Sequence, residues 1–302
     1  MRPEATAPKP NRRRTGLLLA GFACSLALAL LLPSPASAHF LTPKSGGSPN
    51  ANAIAELYRI VLYIAAVVFV IVEGALVYSV FRFRARKSKV AAQIHGNTPL
   101  EIGWTLAAAL ILVVLTVVTF VKLPSILNPP NSTAGGSFLS ASLTEPTPPN
   151  GKRLVICVTG RQYIWRYTYG NSCVNNAFSS VHPLPYSYQE MYVPANTTVV
   201  LAIQSSDVVH SWWVPSLGGK VDAVPGYTVY TWFRAPYAGA LYHGQCAQLC
   251  GRQHAFMTAL VRVLTPTQYN QWLSTQLQSI EAANSQVSQL RQILIADHQL
   301  SG

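Results

Sequence analysis

Two long apolar runs constrain this chain more than any other feature of its sequence. Residues 60–81 form one run of 22 residues, and residues 103–121 form another of 19. As α-helices they would be about 33 Å and about 28 Å long, close to the thickness of the hydrocarbon core of a bilayer. The two runs predict a transmembrane helical hairpin. Glu73 lies inside the first run, and an ionisable group at that depth is expected to face protein rather than lipid.

The charges between the two runs predict the orientation of the hairpin. The loop carries five basic residues and no acid before Glu101; these are Arg82, Arg84, Arg86, Lys87 and Lys89. Cytoplasmic loops are enriched in Lys and Arg, so this loop is predicted to be cytoplasmic. The segments before the first span and after the second are then expected on the outer side of the membrane.

A third apolar run, at residues 16–32, lies near the N-terminus. It follows three arginines at residues 12–14 and ends in small residues up to Ala38. This pattern is typical of a secretory signal peptide, with cleavage after Ala38; an uncleaved anchor is the alternative. Residues 1–38 are therefore predicted to be a signal peptide, which agrees with the orientation predicted from the loop.

Composition supports a membrane protein and argues against two other classes. Only 11% of the residues are charged and 50% are apolar, which excludes a disordered chain. The net charge is +12, and most of the positive charge lies beside the apolar runs. A nucleic-acid-binding protein would be expected to carry that charge on one face of a folded domain. No nucleic-acid partner is predicted.

The rest of the chain divides into three further regions after a membrane hairpin at residues 39–123. Residues 124–150 are rich in Pro, Ser, Thr, Asn and Gly, which indicates a linker. Residues 151–268 contain short β-rich runs broken by turn residues, which predicts a sandwich or barrel. The predicted strands are residues 153–159, 163–169, 190–193, 197–204, 227–233 and 257–263. Residues 269–302 are expected to form a C-terminal helical tail.

Cysteine, histidine and methionine cluster near the end of the β-rich region. Cys246, Cys250, His254 and Met257 fall within twelve residues, and His210 follows a strand-like run upstream. Thiolate, thioether and imidazole ligands favour copper, and two thiolates can bridge two copper ions. A local disulfide is one alternative. A structural zinc site that uses two of the histidines 210, 243 and 254 is another, but neither alternative uses Met257.

Two other cysteines, Cys157 and Cys173, lie outside this cluster. They sit on or just beyond two strand-like runs that a tight turn could join into a hairpin. Because the outer compartment is oxidising, a disulfide between them is predicted. The alternative is that Cys157, with Val155, Ile156 and Val158 around it, is a buried free thiol.

Longer motifs give the chain a family resemblance over about residues 50–272. They are C-x-x-x-C-G-x-x-H-x-x-M from Cys246, D-V-x-H-S-W from Asp207, the run from Val214 to Gly226, and the two spans. Together they resemble cytochrome c oxidase subunit II. The resemblance implies an α+β chain: a transmembrane hairpin, then an all-β cupredoxin domain (a Greek-key β-barrel), then a C-terminal helix. It also implies a dinuclear copper A centre that takes electrons from cytochrome c and passes them to haem in subunit I, where oxygen is reduced to water with coupled proton transport.

The resemblance also implies which residues bind metal. Cys246 and Cys250 would be the bridging thiolates, and His210 and His254 the terminal imidazoles. Met257 would be an axial ligand, and Gln248 would bind through its backbone carbonyl.

The position of Gln248 departs from the family, which most often has a glutamate there that faces magnesium at the border with subunit I. A neutral amide is a poorer ligand for that ion, so magnesium is doubtful, although Asp222 of the K-x-D segment is expected at the same border.

Three more residues receive expected roles from the resemblance. Tyr163 and Trp165 lie in the aromatic segment through which electrons enter the family's copper domain. Glu101 matches a glutamate near a proton-uptake channel, although residues 98–101 also read as a helix capping box.

The resemblance places the protein in a bacterial plasma membrane with its C-terminal domain on the outer face, beside subunit I, subunit III and lipid. Arg161 and Arg166 are the only charges in residues 161–180. A donor that is neutral, acidic, membrane-held or part of a supercomplex is therefore expected. The alternative is a membrane-anchored copper-binding or structural subunit outside an oxidase.

Overall fold

The computed structural model describes residues 42–84, 95–130, 153–170 and 184–296. The predicted signal peptide, Cys173, most of the basic loop and most of the predicted linker lie outside the described residues. Two helices of the described chain are long and apolar enough to cross a membrane: α1, Pro49–Arg82, and α2, Thr98–Leu127. They pack against each other as a hairpin, in agreement with the two predicted spans.

Both helices extend beyond the apolar runs on the side of the β-domain. α1 begins with Pro49, a residue whose missing N–H group costs nothing in the first turn of a helix. α2 continues through Pro124 to Leu127, where the Asn128 N–H group donates to the Pro124 carbonyl at 3.0 Å. The helix therefore includes the first residues of the predicted linker, because a proline near the end of a helix interrupts few of its hydrogen bonds.

Three hydrogen bonds join the ends of the two helices to one edge of the β-domain. The Asn50 side chain donates to the Trp232 carbonyl at 2.7 Å, and the Trp232 indole donates to the Ile126 carbonyl at 3.1 Å. The Arg234 N–H group donates to the Ser48 hydroxyl at 3.1 Å. The strand that contains Trp232 is thus bonded to both membrane helices.

The β-domain consists, within the described residues, of ten strands in two five-stranded sheets. The strands are β1 Leu154–Arg161, β2 Ile164–Tyr169, β3 Tyr186–Tyr188, β4 Glu190–Pro194, β5 Val199–Ser205, β6 His210–Trp213, β7 Val221–Ala223, β8 Val229–Phe233, β9 Leu241–Cys246 and β10 Thr258–Leu264. One sheet has the order β3-β2-β1-β5-β8 and the other β4-β10-β9-β6-β7. All six predicted strands are present, and β3, β6, β7 and β9 are additional.

The core of the domain lies between the two sheets. β10 alternates between buried and partly exposed residues along its whole length, as a strand with one face toward the core should. Val158, Trp165 and Tyr167 of the first sheet and Met191 and Val261 of the second are fully buried. The fold is therefore the predicted one, a cupredoxin-like β-domain after a helical hairpin.

A third helix, α3, spans Pro266–Ala296 and follows β10 directly. Thr265 and Gln268 form a capping box: the Gln268 N–H group donates to the Thr265 hydroxyl at 3.2 Å, and the Thr265 N–H group donates to the Gln268 side chain at 3.1 Å. Trp272 anchors the first turns, stacked on Tyr192 with ring centroids 4.5 Å apart. The C-terminal helix is present as predicted.

Candidate metal centre

Three parts of the β-domain bring the sulfur and imidazole groups together. His210 begins β6 and Cys246 ends β9, and these strands are neighbours in one sheet. Cys250, His254 and Met257 belong to the loop between β9 and β10, which we call the copper loop, residues 247–257. The Cys246 N–H group donates to the Met257 carbonyl at 2.8 Å, so the two ends of this loop are held together.

The two thiols stand at the middle of the cluster. Their sulfurs are 3.9 Å apart, about twice the length of a disulfide bond, and both cysteines are free. Cys246 Sγ lies 3.9 Å from His210 Nδ1, and Cys250 Sγ lies 3.6 Å from His254 Nδ1. The local disulfide considered from the sequence is therefore not formed.

Two weaker donors complete the set. The Met257 thioether is 3.9 Å from Cys250 Sγ, and the Gln248 carbonyl oxygen is 3.2 Å from Cys246 Sγ. Each cysteine thus has one histidine and one weak donor beside it. His243, offered as a zinc ligand from the sequence, is exposed on β9, whereas His210, Cys246 and Cys250 have ligand atoms within 4.8 Å of one another.

Burial of the cluster favours a bound cation. His210, Cys246, Cys250 and Met257 are almost completely buried, while His254 is partly exposed. Burial, followed by the neighbouring Cys246, raises the pKa of Cys250 to about 11. Two adjacent thiolates are therefore unfavourable without positive charge between them. Cationic metal provides that charge, and soft sulfur with imidazole suits copper.

Asp207 holds His210 in the orientation that a metal ligand requires. Its Oδ1 lies 2.8 Å from His210 Nε2, which leaves Nδ1 toward Cys246. Burial alone would raise the pKa of Asp207, but hydrogen bonds from the Gln162 N–H group, from His210 and from the Val208 N–H group lower it. An ionised carboxylate on the far nitrogen fixes the tautomer and makes the other nitrogen a better donor.

The aromatic residues expected to carry electrons occupy two different environments. Trp165 is fully buried in β2, and its ring meets His210 edge-on with centroids 5.8 Å apart. Tyr163 is partly exposed in the turn before β2, where its hydroxyl accepts the Arg252 N–H group at 3.1 Å. Trp165 thus contacts a candidate ligand, and Tyr163 lies between the copper loop and solvent.

Glu101 lies in the first turn of α2. Its carboxylate accepts the Asn97 N–H group at 3.1 Å, and the Asn97 side chain accepts the Leu100 N–H group at 3.2 Å. The reciprocal cap expected from the sequence is present, but the capping residue is Asn97 rather than Thr98. Asn is as good a cap as Thr or better, and Pro99 then occupies the first turn.

The two residues considered for magnesium are both exposed. Asp222 lies on β7, paired with Ser211 of β6, and Gln248 points away from the core in the copper loop. Asp222 and Lys220 line a cavity of about 430 Å³ between the ends of α1 and α2 and the strands β7 and β8.

Cys157 is buried on β1 and takes part in a disulfide. Its predicted partner, Cys173, lies outside the described residues. The particular pairing therefore stays a prediction, while the alternative of a free thiol at Cys157 is wrong.

Sequence reasoning assigned no role to Asp207 or Gln162, which both contact the cluster. The sequence offered one signal for Asp207, because a carboxylate three residues before a histidine can reach its ring. Gln162 carried none, because its contacts are with residues distant in the sequence.

Comparison with known proteins gives the following matches. The family described as cytochrome C oxidase subunit II, periplasmic domain, matches residues 154–264, and that described as cytochrome C oxidase subunit II, transmembrane domain, matches residues 36–121. Cytochrome c oxidase subunit 2 of Alkalihalophilus pseudofirmus is 31% identical over 257 residues, which cover 84% of this chain and 67% of that protein. The Cereibacter sphaeroides protein of the same name is 32% identical over 268 residues, 80% of each. A solved periplasmic domain of cytochrome oxidase subunit II from Bradyrhizobium japonicum is 30% identical, with a TM-score of 0.36, and covers 42% of this chain and 96% of that one.

Proposed function

Because the chain belongs to the cytochrome c oxidase subunit II family, we propose that it is the electron-accepting subunit of a haem–copper terminal oxidase. The observation that carries this function is the pair of buried thiols, each beside one histidine and one weak donor. A dinuclear copper centre bound there supplies reversible exchange of one electron at a time. The subunit would take electrons from cytochrome c and deliver them to haem in subunit I for reduction of oxygen.

The chain's own residues would hold the two ions in a fixed, water-poor setting. Cys246 and Cys250 would hold them through thiolates, and His210 and His254 through imidazoles. Met257 and the Gln248 carbonyl would serve as weaker ligands. Burial excludes water from four of the six residues, so little solvent would need to reorganise when charge changes.

Electrons would reach this site through the β1–β2 turn. Tyr163 is partly exposed beside the copper loop, and Trp165 packs against His210. Tyr163 would thus contact the donor, and Trp165 would lie between the surface and the metal. Leu249 and Phe256 of the copper loop, 76% and 79% exposed, add an apolar surface for a donor protein.

The membrane hairpin would orient the domain and contribute to proton uptake. The basic loop after α1 would be cytoplasmic and the β-domain outside a bacterial plasma membrane. Glu101 would then lie at the cytoplasmic start of α2, where a carboxylate can collect protons for subunit I. Subunit III and lipid are the other proposed neighbours. Asp222 would face the subunit I border, where the neutral amide of Gln248 would be a poorer magnesium ligand than a glutamate carboxylate.

Metal analysis of the purified full chain tests this function. We expect two copper ions per chain and a mixed-valence dinuclear signal by electron paramagnetic resonance. Cys246→Ser should abolish the signal, because a hydroxyl is a hard, poorly ionised replacement for a bridging thiolate. His243→Gln is the matched control: this exposed histidine lies three residues earlier on the same strand, so copper binding should not change. A chain that binds no copper would support the alternative, a purely structural membrane subunit.

A further inference from the structure

The turn between β1 and β2 contacts both segments that supply the buried copper ligands. The Gln162 N–H group donates to Asp207 Oδ2 at 2.7 Å, and Asp207 lies three residues before His210 in the sequence. The Gln162 side chain donates from Nε2 to the Cys250 carbonyl at 2.6 Å. One residue therefore joins the segment of one candidate histidine to the segment of one candidate thiolate.

These contacts form a continuous chain of hydrogen bonds across the site. His210 Nε2 is bonded to Asp207, Asp207 accepts from the Gln162 main chain, and the Gln162 side chain reaches Cys250. His210 begins β6 and Cys250 lies in the copper loop, and a main-chain bond from the Ala247 N–H group to the Ser211 carbonyl at 2.8 Å joins the same two segments on their other side. Gln162 is polar and exposed, so its hydrogen bonds, rather than hydrophobic burial, explain its position.

The copper loop is shaped to receive this turn. Gly251 has a φ of +133°, a backbone conformation that favours glycine, and the Tyr163 hydroxyl accepts the N–H group of the next residue, Arg252, at 3.1 Å. A Cβ atom at Gly251 would lie 2.6 Å from the Tyr163 hydroxyl and 2.9 Å from Gln162 Nε2. The close approach of the turn thus requires the smallest residue in the loop.

We propose that Gln162 is a positioning residue for the copper centre, which fixes the distance between the His210 and Cys250 sides of the site. This inference rests on the proposed function. A site that exchanges electrons works best when its ligands keep one geometry in both oxidation states, and outer hydrogen bonds help a strand ligand and a loop ligand to do so. Tyr163 supports the same connection through Arg252, with its ring free for other contacts.

The test compares Gln162→Met with the wild type in the assembled oxidase. Met has similar length but cannot donate a hydrogen bond. We expect copper loss to excess bicinchoninate to be about tenfold faster, as for other lost outer partners of metal ligands. We also expect an altered hyperfine pattern in electron paramagnetic resonance. Gln204→Met is the matched control, since this partly buried glutamine of β5 donates from its side chain to the Thr159 hydroxyl at 3.5 Å and lies on a strand rather than in the turn.

Tyr163→Phe provides a second variant that keeps the ring and removes the acceptor for Arg252. It should speed copper loss less than Gln162→Met, because Tyr163 is bonded to Arg252, whereas Gln162 is bonded to the candidate ligand Cys250 itself. Copper loss at the wild-type rate with an unchanged spectrum in Gln162→Met would overturn the inference. A lower thermal midpoint of the copper-free chain with an unchanged spectrum of the loaded one would also overturn it. Failure of the wild type to bind two copper ions would instead count against the proposed function.

Discussion

Two methionines are completely buried in the β-domain, but they have different neighbours. Met257 lies 3.9 Å from Cys250 Sγ, whereas Met191 lies on β4 among apolar side chains of the core. We expect Met257→Leu to keep both copper ions and raise the reduction potential, because an axial donor stabilises the oxidised metal. Each Met→Leu change should cost less than about 1.5 kcal/mol of unfolding free energy, since the volumes are similar. Redox titration of the full chain measures the potential.

Met191→Leu is the control for that experiment and should leave the potential unchanged. An equal shift in both variants would show that general repacking of the core, rather than axial ligation, changes the potential. Loss of copper from Met257→Leu would mean that the thioether contributes more than a weak axial ligand does.

Asp207 offers a second comparison between like residues. Asp207→Asn removes the negative charge that makes the His210 imidazole a better metal ligand. We expect copper affinity to fall by about 10–100-fold. Asp222→Asn removes an aspartate of the same domain that is exposed on β7, and it should bind copper as the wild type does. Competition with a copper chelator measures both affinities. Equal affinity in Asp207→Asn and the wild type would contradict the role given to the carboxylate.

Variants at the start of α2 can distinguish a structural role of Glu101 from a role in proton uptake. Glu101→Gln keeps an oxygen that can accept the Asn97 N–H group but cannot titrate. We expect turnover and proton uptake of the oxidase to fall while the helix persists. Asn97→Ala is the control: it removes the cap at a cost of about 1 kcal/mol and leaves the carboxylate in place. Unchanged proton uptake in Glu101→Gln would show that Glu101 only caps the helix and does not collect protons.

The helix α3 gives a prediction about stability. Trp272 stacks on Tyr192 and meets Tyr169 edge-on, with centroids 4.5 Å and 4.9 Å away. Trp272→Ala should lower the unfolding free energy by about 2–3 kcal/mol and leave the copper spectrum unchanged. Val287→Ala changes an exposed residue of the same helix and should have an effect within about 0.5 kcal/mol. Thermal unfolding of the full chain measures both variants.

The elements also show what the sequence could predict. Strands with apolar residues on one face or both, such as β1 and β5, follow from their composition. β6 and β7 could not be found in this way because they are only four and three residues long, and β9 could not because His243, Gly244 and Gln245 interrupt its apolar pattern. At the start of α2 two adjacent residues could cap the helix, and local sequence alone did not distinguish Asn97 from Thr98.

The candidate ligands were easier to predict than the residues around them. Cys246, Cys250, His254 and Met257 are close in the sequence, so their spacing places them in one loop. The contacts of Gln162 depend on how three separate segments meet in the folded domain. That information lies in the tertiary structure, which the spacing of residues does not reveal.

The net charge of the β-domain determines which electron-donor proteins it can attract. Residues 152–264 contain eight Lys and Arg and three acids. Two of these acids already have partners in the fold, since Glu190 is bonded to Arg262 and Asp207 to His210. The domain is therefore basic overall, with few carboxylates to attract a positively charged protein.

The surface beside the copper loop is also basic. Arg161 and Arg252 are exposed on either side of the turn that carries Tyr163, and Leu249 and Phe256 are exposed apolar residues of the loop. A partner could bury this apolar surface, but a basic partner would be repelled by the two arginines. Long-range attraction of a basic cytochrome c requires a negative surface.

We therefore expect the donor to be neutral or acidic, or to be held at the membrane or in a supercomplex. In that arrangement, effective concentration replaces electrostatic attraction. Turnover of the purified oxidase with a basic soluble cytochrome c should be slow at low salt and should not fall as salt rises, because salt screens the repulsion by the arginines. Arg161→Glu with Arg252→Glu should increase the rate at low salt and make it fall as salt screens the new attraction. Fast turnover by the wild type at low salt with a steep fall at higher salt would contradict this expectation, because it would require an acidic docking surface.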